Sequence, residues 1–176
     1  MGLQIEDGKG RGTHAFVDNG RLETSSRSNP RYAYISRDEG DSYTWSHSYN
    51  YGAADTILLV SNSSTTKKLY IHAIFVGSDT STQLTVHSPA YPTLDGSAVT
   101  GVNANRTSGK TASAEAYGDE TGNTQANVLF QGFVIGNATA QLPPSGAVIL
   151  GYHDCIAVDL VTAGTMGIVT IAGYYE

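Results

Sequence analysis

Short apolar runs recur along the whole chain and are separated by polar segments rich in glycine, serine, threonine and asparagine. Period-two alternation is typical of strands with one buried face, and a short continuous apolar run indicates a strand buried on both faces. β-Branched and aromatic residues dominate these runs, which favours strands over helices. The clearest predicted strands are 56–62, 68–77, 83–88, 127–136 and 164–176. We therefore predict an all-β protein, arranged as a jelly roll or β-sandwich.

The alternation also predicts which side chains share a face. In 68–77, one predicted face carries Leu69, Ile71, Ala73 and Phe75. Residues 32–36 and 42–51 alternate aromatic and polar residues, so we predict strands there too.

A second predicted face carries Tyr43, Trp45, His47, Tyr49 and Tyr51. Tyrosine and tryptophan on a serine-rich strand are typical of a partner or oligomer interface, and they equally suit one side of a sandwich core. A third interpretation is a sugar-stacking surface, which would make a host glycan a partner. The sequence leaves these interpretations open.

The middle of the chain has a weaker pattern. Residues 89–127 are rich in small polar residues and alanine, which predicts either a long loop or short strands at an interface. The only candidate helix is 111–120, and its apolar face is merely alanine.

The first 31 residues differ from the remainder. Asn19-Gly20 is a strong turn signal, so we predict a small hairpin over 14–25 and a polar linker over 26–31. We divide the chain into an extended arm, 1–31, and a β-domain, 32–176. The net charge is −6, which argues against nucleic acid as a partner. The segment up to Arg37 is mildly basic, which is typical of an interaction arm and equally of a solvated, flexible N-terminus.

The sequence motifs that could indicate catalysis or cofactor binding do not identify a functional site. Gly8, Gly10 and Gly12 lack the strand and the helix that a dinucleotide fingerprint requires. Residues 104–111, ANRTSGKT, match a relaxed phosphate-binding loop in which Lys110 would reach the phosphates, but such a loop needs parallel βαβ units. The single cysteine, Cys155, lies in an apolar run that indicates a buried, inert thiol.

Metal and membrane signals are equally weak. The five histidines have no metal-ligand spacing, and no run approaches the roughly 18 apolar residues that span a bilayer. We predict neither an enzyme nor a cofactor, metal or membrane partner.

The arm resembles the N-terminal segment of many tailed-bacteriophage virion proteins, whose pattern is roughly I-x-D-G-x-G-x-G-x-x-A-x-V-D-x-x-x-R-L-x-T. In this chain the spacing from Asp18 to Arg21 is one residue shorter than in some of those proteins. The strands near both ends of the β-domain are similar too, although the middle is not. The matching residues are Ile5, Asp7, Gly8, Gly10, Gly12, Ala15, Val17, Asp18, Arg21, Leu22 and Thr24.

The resemblance implies a structural protein of the phage particle, located in the virion and assembled in the host cytoplasm. The first expectation is a capsid decoration (cement) protein, a homotrimer that binds the major capsid protein. The alternatives are a receptor- or glycan-binding fibre module and a head–tail connector or tail component. The expected capsid contacts are Ile5, Asp7, Gly8, Gly10, Arg11, Gly12, Arg21, Arg27 and Arg31, and the expected interface residues are Tyr43, Trp45, Tyr49 and Tyr51.

Overall fold

A computed structural model of the chain describes residues 31–51, 55–90, 92, 94–120, 123, 125–142 and 148–176, together with four two-residue strands before residue 31. The chain divides into two compact units, residues 1–30 and residues 31–176.

The first unit contains two antiparallel strand pairs. Strand β1 (Ile5–Glu6) pairs with β2 (His14–Ala15), and β3 (Val17–Asp18) pairs with β4 (Arg21–Leu22). The second pair flanks residues 19–20, where the sequence predicts a hairpin turn. Of the arm residues predicted to contact a capsid, Ile5, Arg21 and Arg31 are among the described residues, and the others lie outside them.

The second unit begins with helix, which corrects the strand predicted over 32–36. Helix α1 (Arg31–Tyr34) leads into a π-helical turn (Ile35–Glu39), and Gly40 ends that turn in the left-handed region at φ 62°. Contacts with distant residues hold the helix. The Tyr32 ring stacks on the His72 ring at 3.8 Å, and Arg31 forms a 2.5 Å ion pair with Glu176. The alternation of aromatic and polar residues within 32–36 carries no information about these distant contacts.

Twelve strands follow in the described part of this unit. In chain order they are β5 (Ser42–Tyr49), β6 (Asp55–Asn62), β7 (Leu69–Ser78), β8 (Thr82–His87), β9 (Ser97–Ala98), β10 (Val102–Asn103), β11 (Ala114–Glu120), β12 (Val128–Val134), β13 (Ala138–Leu142), β14 (Val148–Leu150), β15 (Cys155–Leu160) and β16 (Gly167–Tyr175).

These strands form two antiparallel sheets. The first sheet has the order β10-β5-β16-β7-β13, and β14 pairs with β7 as well. The second sheet has the order β12-β8-β15-β6-β11-β9. Both sheets contribute to one buried core, in which Ile71 and Val169 from the first sheet pack with Leu58, Val86 and Ile156 from the second. The predicted all-β class and its two-sheet, sandwich-like arrangement are confirmed.

An irregularity in the pairing of β7 changes which of its side chains are buried, so one predicted face is wrong. The register between β7 and β16 shifts between Ala172 and Gly173, so both Ile71 and Ile74 are buried. After this irregularity Phe75 faces outward and is 38% exposed, instead of sharing the buried face with Leu69. A bulge of this kind reverses the inward and outward positions that follow it.

The middle region forms short strands rather than a helix. The helix predicted over 111–120 is wrong, because β11 pairs with β6 across the second sheet. Alternate residues of β11, Ala116, Gly118 and Glu120, are buried. Small residues are needed at this position, since a Cβ added to Gly118 would lie 2.3 Å from the His47 ring.

Candidate interaction surface

Exposed apolar side chains concentrate on β12 and the turn that follows it. Phe133 is 81% exposed and Ile135 is 72% exposed, although both belong to residue types that normally lie in cores. The other large exposed side chains of this strand are Val128, Leu129 and Phe130. We call these five residues the β12 edge. A concentration of exposed apolar side chains is a feature of interaction surfaces.

Strand β12 lies at the end of the second sheet. Among the described strands it pairs only with β8, so one side of its backbone faces away from the sheet. Its register with β8 shifts between Val128 and Phe130 and is then continuous from Phe130 to Val134. Edge strands present unpaired N–H and C=O groups, and proteins usually protect them with charge, proline or a bulge. Here only the bulge is present.

The sequence around β12 contains no charged residue. From Thr121 to Tyr152 there is no aspartate, glutamate, lysine or arginine, and no histidine, in a chain whose net charge is −6. Gly132 lies in the middle of the strand, and a Cβ added there would be 2.9 Å from the Phe130 ring. The Phe130 side chain therefore lies over Gly132, and the surface combines apolar side chains with an uncharged backbone edge.

The outer face of the first sheet carries a smaller apolar area. Ile168 lies beside Gly77 and Ser48 in register, and Phe75 lies beside Thr170. The Ser46 and Thr170 hydroxyls are 2.8 Å apart and form a hydrogen bond across β5 and β16. Small and hydroxyl-bearing residues separate Ile168 and Phe75, so this face lacks the continuity of the β12 edge.

The predicted aromatic interface lies mainly in the core. Tyr43, Trp45 and Tyr51 are at most 2% exposed and belong to the buried cluster between the sheets, while Tyr49 is partly buried against it. The structure thus assigns Tyr43, Trp45 and Tyr51 to the core, the second interpretation of the sequence, and corrects the interface assignment for these three. They leave no continuous aromatic surface for stacking on a sugar.

Lys110, the lysine of the sequence that resembles a phosphate-binding loop, forms an ion pair with Asp41. Lys110 Nζ donates to Asp41 Oδ2 over 3.2 Å, and Lys67 binds the same oxygen. Tyr43 donates to Asp41 Oδ1 over 3.2 Å. Burial alone would raise the pKa of Asp41, but the two lysines outweigh it and lower that pKa overall.

The same loop is shaped by its own side chains. Asn105 N–H donates to Asn103 Oδ1, and Ser108 Oγ donates to the Gly40 carbonyl oxygen. Strand β11 follows where a phosphate-binding loop requires a helix. Residues 104–111 therefore match a phosphate-binding loop in sequence but not in structure.

A row of buried polar side chains crosses the second sheet and is the most enzyme-like cluster in the described residues. Thr56 pairs in register with both Asp159 and Glu120, and all three are at most 3% exposed. Asp159 accepts from Thr56 Oγ1 at 2.7 Å and from Gln125 Nε2 at 2.9 Å. His87 Nε2 lies 3.0 Å from Asp159 Oδ2, although not in hydrogen-bond geometry.

This buried row does not open to a substrate. Asp95 N–H donates to Glu120 Oε2 over 2.8 Å, and burial raises the pKa of Glu120. Two carboxylates that act on a glycoside must face each other across a cleft. Here Thr56 stands between them within a strand network, so the row is best explained as hydrogen bonding that stabilises the sheet. Sequence reasoning missed the row because its residues are far apart in the chain.

The described ranges contain neither a cluster of metal ligands nor a helix that could span a membrane. No group of three or more histidine, cysteine, aspartate or glutamate side chains there has an arrangement suited to a metal ion. In the same part of the chain, no helix has the length and apolar character needed to cross a membrane.

Comparisons with known proteins add no relative. No family model matches the chain, and neither a curated protein nor a solved structure is significantly similar to it.

Proposed function

We propose that this chain is a structural protein of a tailed-phage particle that binds the shell of major capsid protein and stabilises it, as a decoration or cement protein does. The observation that carries the proposal is the β12 edge, where large apolar side chains and an open strand edge are exposed without charge. Such a surface suits a protein that works within an assembly, since an isolated protein rarely exposes one.

The sequence of the arm supports the phage particle as that assembly. The IEDGKGRG segment resembles the virion pattern, and glycines at alternate positions let a backbone approach another chain closely. Arg11, Arg21 and Arg27 would form charge-assisted hydrogen bonds with acidic groups on the shell. Arg31 differs from them, because its guanidinium already pairs with Glu176. We therefore assign the shell contact to residues before Arg31.

The finer parts of the proposal follow the same resemblance. A jelly-roll arrangement of the strands and a location in the virion belong to it, and no catalytic role is assigned. The homotrimer is an expectation from the resemblance alone. The fibre alternative relied on an aromatic surface for host glycans, and the burial of Trp45 and Tyr51 weakens that alternative. A connector or tail component would differ from a decoration protein in copy number.

Co-sedimentation with phage shells tests the proposal. The purified full chain is mixed with shells assembled from the major capsid protein of the same phage alone, and bound copies are counted by quantitative gel analysis. We expect saturable binding in many copies distributed over the shell. Binding at one vertex only would indicate a connector, and binding to host cells but not to shells would indicate a receptor-binding module.

A further inference from the structure

We propose that the β12 edge binds a second copy of this chain, through antiparallel pairing of β12 with β12 of the partner copy. This inference rests on the same β12 edge as the proposed function and goes beyond it, because it assigns that edge to a contact between copies and leaves the shell contact to the arm. The contact would join the second sheets of two copies into one continuous sheet.

The open backbone of β12 provides the first reason. Within the described strands, β12 has β8 on one side and no strand on the other. The five residues from Phe130 to Val134 are in continuous register with β8, so this part of the strand is regular enough to accept another strand. Adding a strand satisfies the unpaired N–H and C=O groups, and main-chain hydrogen bonds of this kind supply affinity.

Charge identifies the second copy as the occupant. Two copies with a net charge of −6 each repel one another over most of their surfaces. Strand β12 and the turn after it carry no charged residue, so two β12 edges can meet without like-charge repulsion between them. A contact with a strongly charged partner would instead require complementary charges, and the β12 edge has none to offer.

The arrangement of side chains suits a two-fold axis at Gly132. With Gly132 opposite its own copy, Gln131 faces Phe133 of the partner copy, and the two Phe133 rings lie on a diagonal. Diagonal neighbours across paired strands are within reach of aromatic side chains. Gly132 at the axis leaves space for the Phe130 ring, which already lies over it. The contact is isologous, so it closes with two copies.

A dimer differs from the trimer that the resemblance implies, and the molar mass in solution distinguishes them. Analytical ultracentrifugation of the full chain across a range of concentrations is expected to show a monomer–dimer equilibrium. Added sodium chloride should lower its dissociation constant modestly and should not raise it, because salt screens the repulsion between two acidic copies and the contact contains no ion pair to weaken. A trimer, or a monomer at all accessible concentrations, would overturn the inference, as would association without limit.

Charge substitution at Phe133 tests the predicted surface. Phe133→Lys should raise the dimer dissociation constant at least about tenfold, because two lysines would lie on the diagonal across the paired strands and repel one another. Ile168→Lys adds the same charge at an exposed apolar residue of the first sheet and should leave dimerisation unchanged. At protein concentrations below the wild-type dimer dissociation constant, both variants should keep the wild-type melting temperature, since both side chains are exposed. Equal effects of the two substitutions would contradict the assignment.

A mixing experiment tests the two-fold axis. Phe133→Lys and Phe133→Glu should each dimerise poorly alone, while an equimolar mixture should form a mixed dimer because opposite charges lie across the axis. Failure of the mixture to associate would refute the pairing centred on Gly132. No shells are present in these measurements. A lack of dimerisation would therefore not count against shell binding, and a lack of shell binding would not count against dimerisation.

Discussion

Lys110 donates a hydrogen bond to Asp41 and thereby ties the loop between β10 and β11 to the residue that precedes β5. Lys67 reaches the same carboxylate oxygen from the connection between β6 and β7. Asp41 is 5% exposed, whereas the two lysine side chains are about half exposed. One nearly buried carboxylate thus joins three segments that are far apart in the chain.

Replacement of Asp41 should destabilise the domain. We expect Asp41→Asn to lower the free energy of unfolding at pH 7 by about 1 to 2 kcal/mol, because charge-assisted hydrogen bonds are lost while the lysines remain hydrated. Lys110→Met should lower the free energy of unfolding by a smaller amount, since Lys67 still pairs with Asp41. Urea unfolding measures both changes. Arg106→Met, in the same loop and exposed, is the control. Wild-type stability of Asp41→Asn at pH 7 would contradict this role.

The Asp41 contribution should depend on pH. Since the folded state lowers the pKa of Asp41, the contribution is complete above the pKa of an unfolded aspartate, about 3.9, and is lost as the pH falls through the lower folded value. The stability difference between the wild type and Asp41→Asn should therefore be constant from pH 7 to 5 and shrink below about pH 4. A difference that grows on acidification would refute this explanation.

Gly96 and Gly109 should respond oppositely to alanine. A Cβ at Gly96 would lie 2.1 Å from the Gly118 carbonyl oxygen, whereas a Cβ at Gly109 meets nothing within 4 Å. Gly96→Ala should reduce stability by about 1 to 3 kcal/mol because backbone must move. Gly109→Ala should be neutral or stabilising by up to about 1 kcal/mol. Thermal unfolding of the two variants compares them, and similar melting temperatures would contradict the packing of β9 against β11.

His72 should titrate below an ordinary histidine. Burial lowers the pKa of His72, and the Tyr32 ring covers it. Tyr32→Ala should raise that pKa towards about 6.5 in an NMR titration, while Tyr34→Ala, two residues further along the same helix, should not. An unchanged pKa in Tyr32→Ala would show that α1 does not cover His72. Because the neutral form is favoured, protonation of this histidine opposes folding below about pH 6.5.

Cys155 should be unreactive while the protein is folded. Its thiol is 1% exposed and donates to the Pro89 carbonyl oxygen over 3.1 Å. Burial, assisted by the charge of Asp154, raises the pKa of Cys155 to about 11. A thiol reagent at pH 8 should label the native protein far more slowly than the urea-unfolded protein, since the thiolate is the reactive form. Rapid labelling of the native protein would contradict the buried position.

The sequence predicted the long strands because their own residues determine them. Runs such as 56–62 and 83–88 are apolar and β-branched, and they appear as β6 and β8. Contacts between distant residues determined the features that the sequence did not predict. The helix at Arg31–Tyr34 depends on His72 and Glu176, and the alanine-rich strand β11 depends on pairing with β6.

The candidate surface was only partly predictable. The sequence indicates a strand at 127–136 and shows that it lacks charge, but its composition is equally suited to a central strand. Its place at the end of the second sheet is decided by the order of strands, which depends on the whole fold. Conversely, Trp45 and its aromatic neighbours suited both a core and an interface, and only the packing of two sheets distinguishes them.

The most direct test of the role in a phage particle is binding of the full chain to undecorated shells. The comparison is a variant that carries Arg11→Gln, Arg21→Gln and Arg27→Gln. We expect the wild type to co-sediment and saturate, with affinity that falls as sodium chloride is added. The variant should keep the same melting temperature and bind much more weakly. No binding by the wild type would contradict a shell-binding role, and full occupancy by the variant would contradict the arm as the contact.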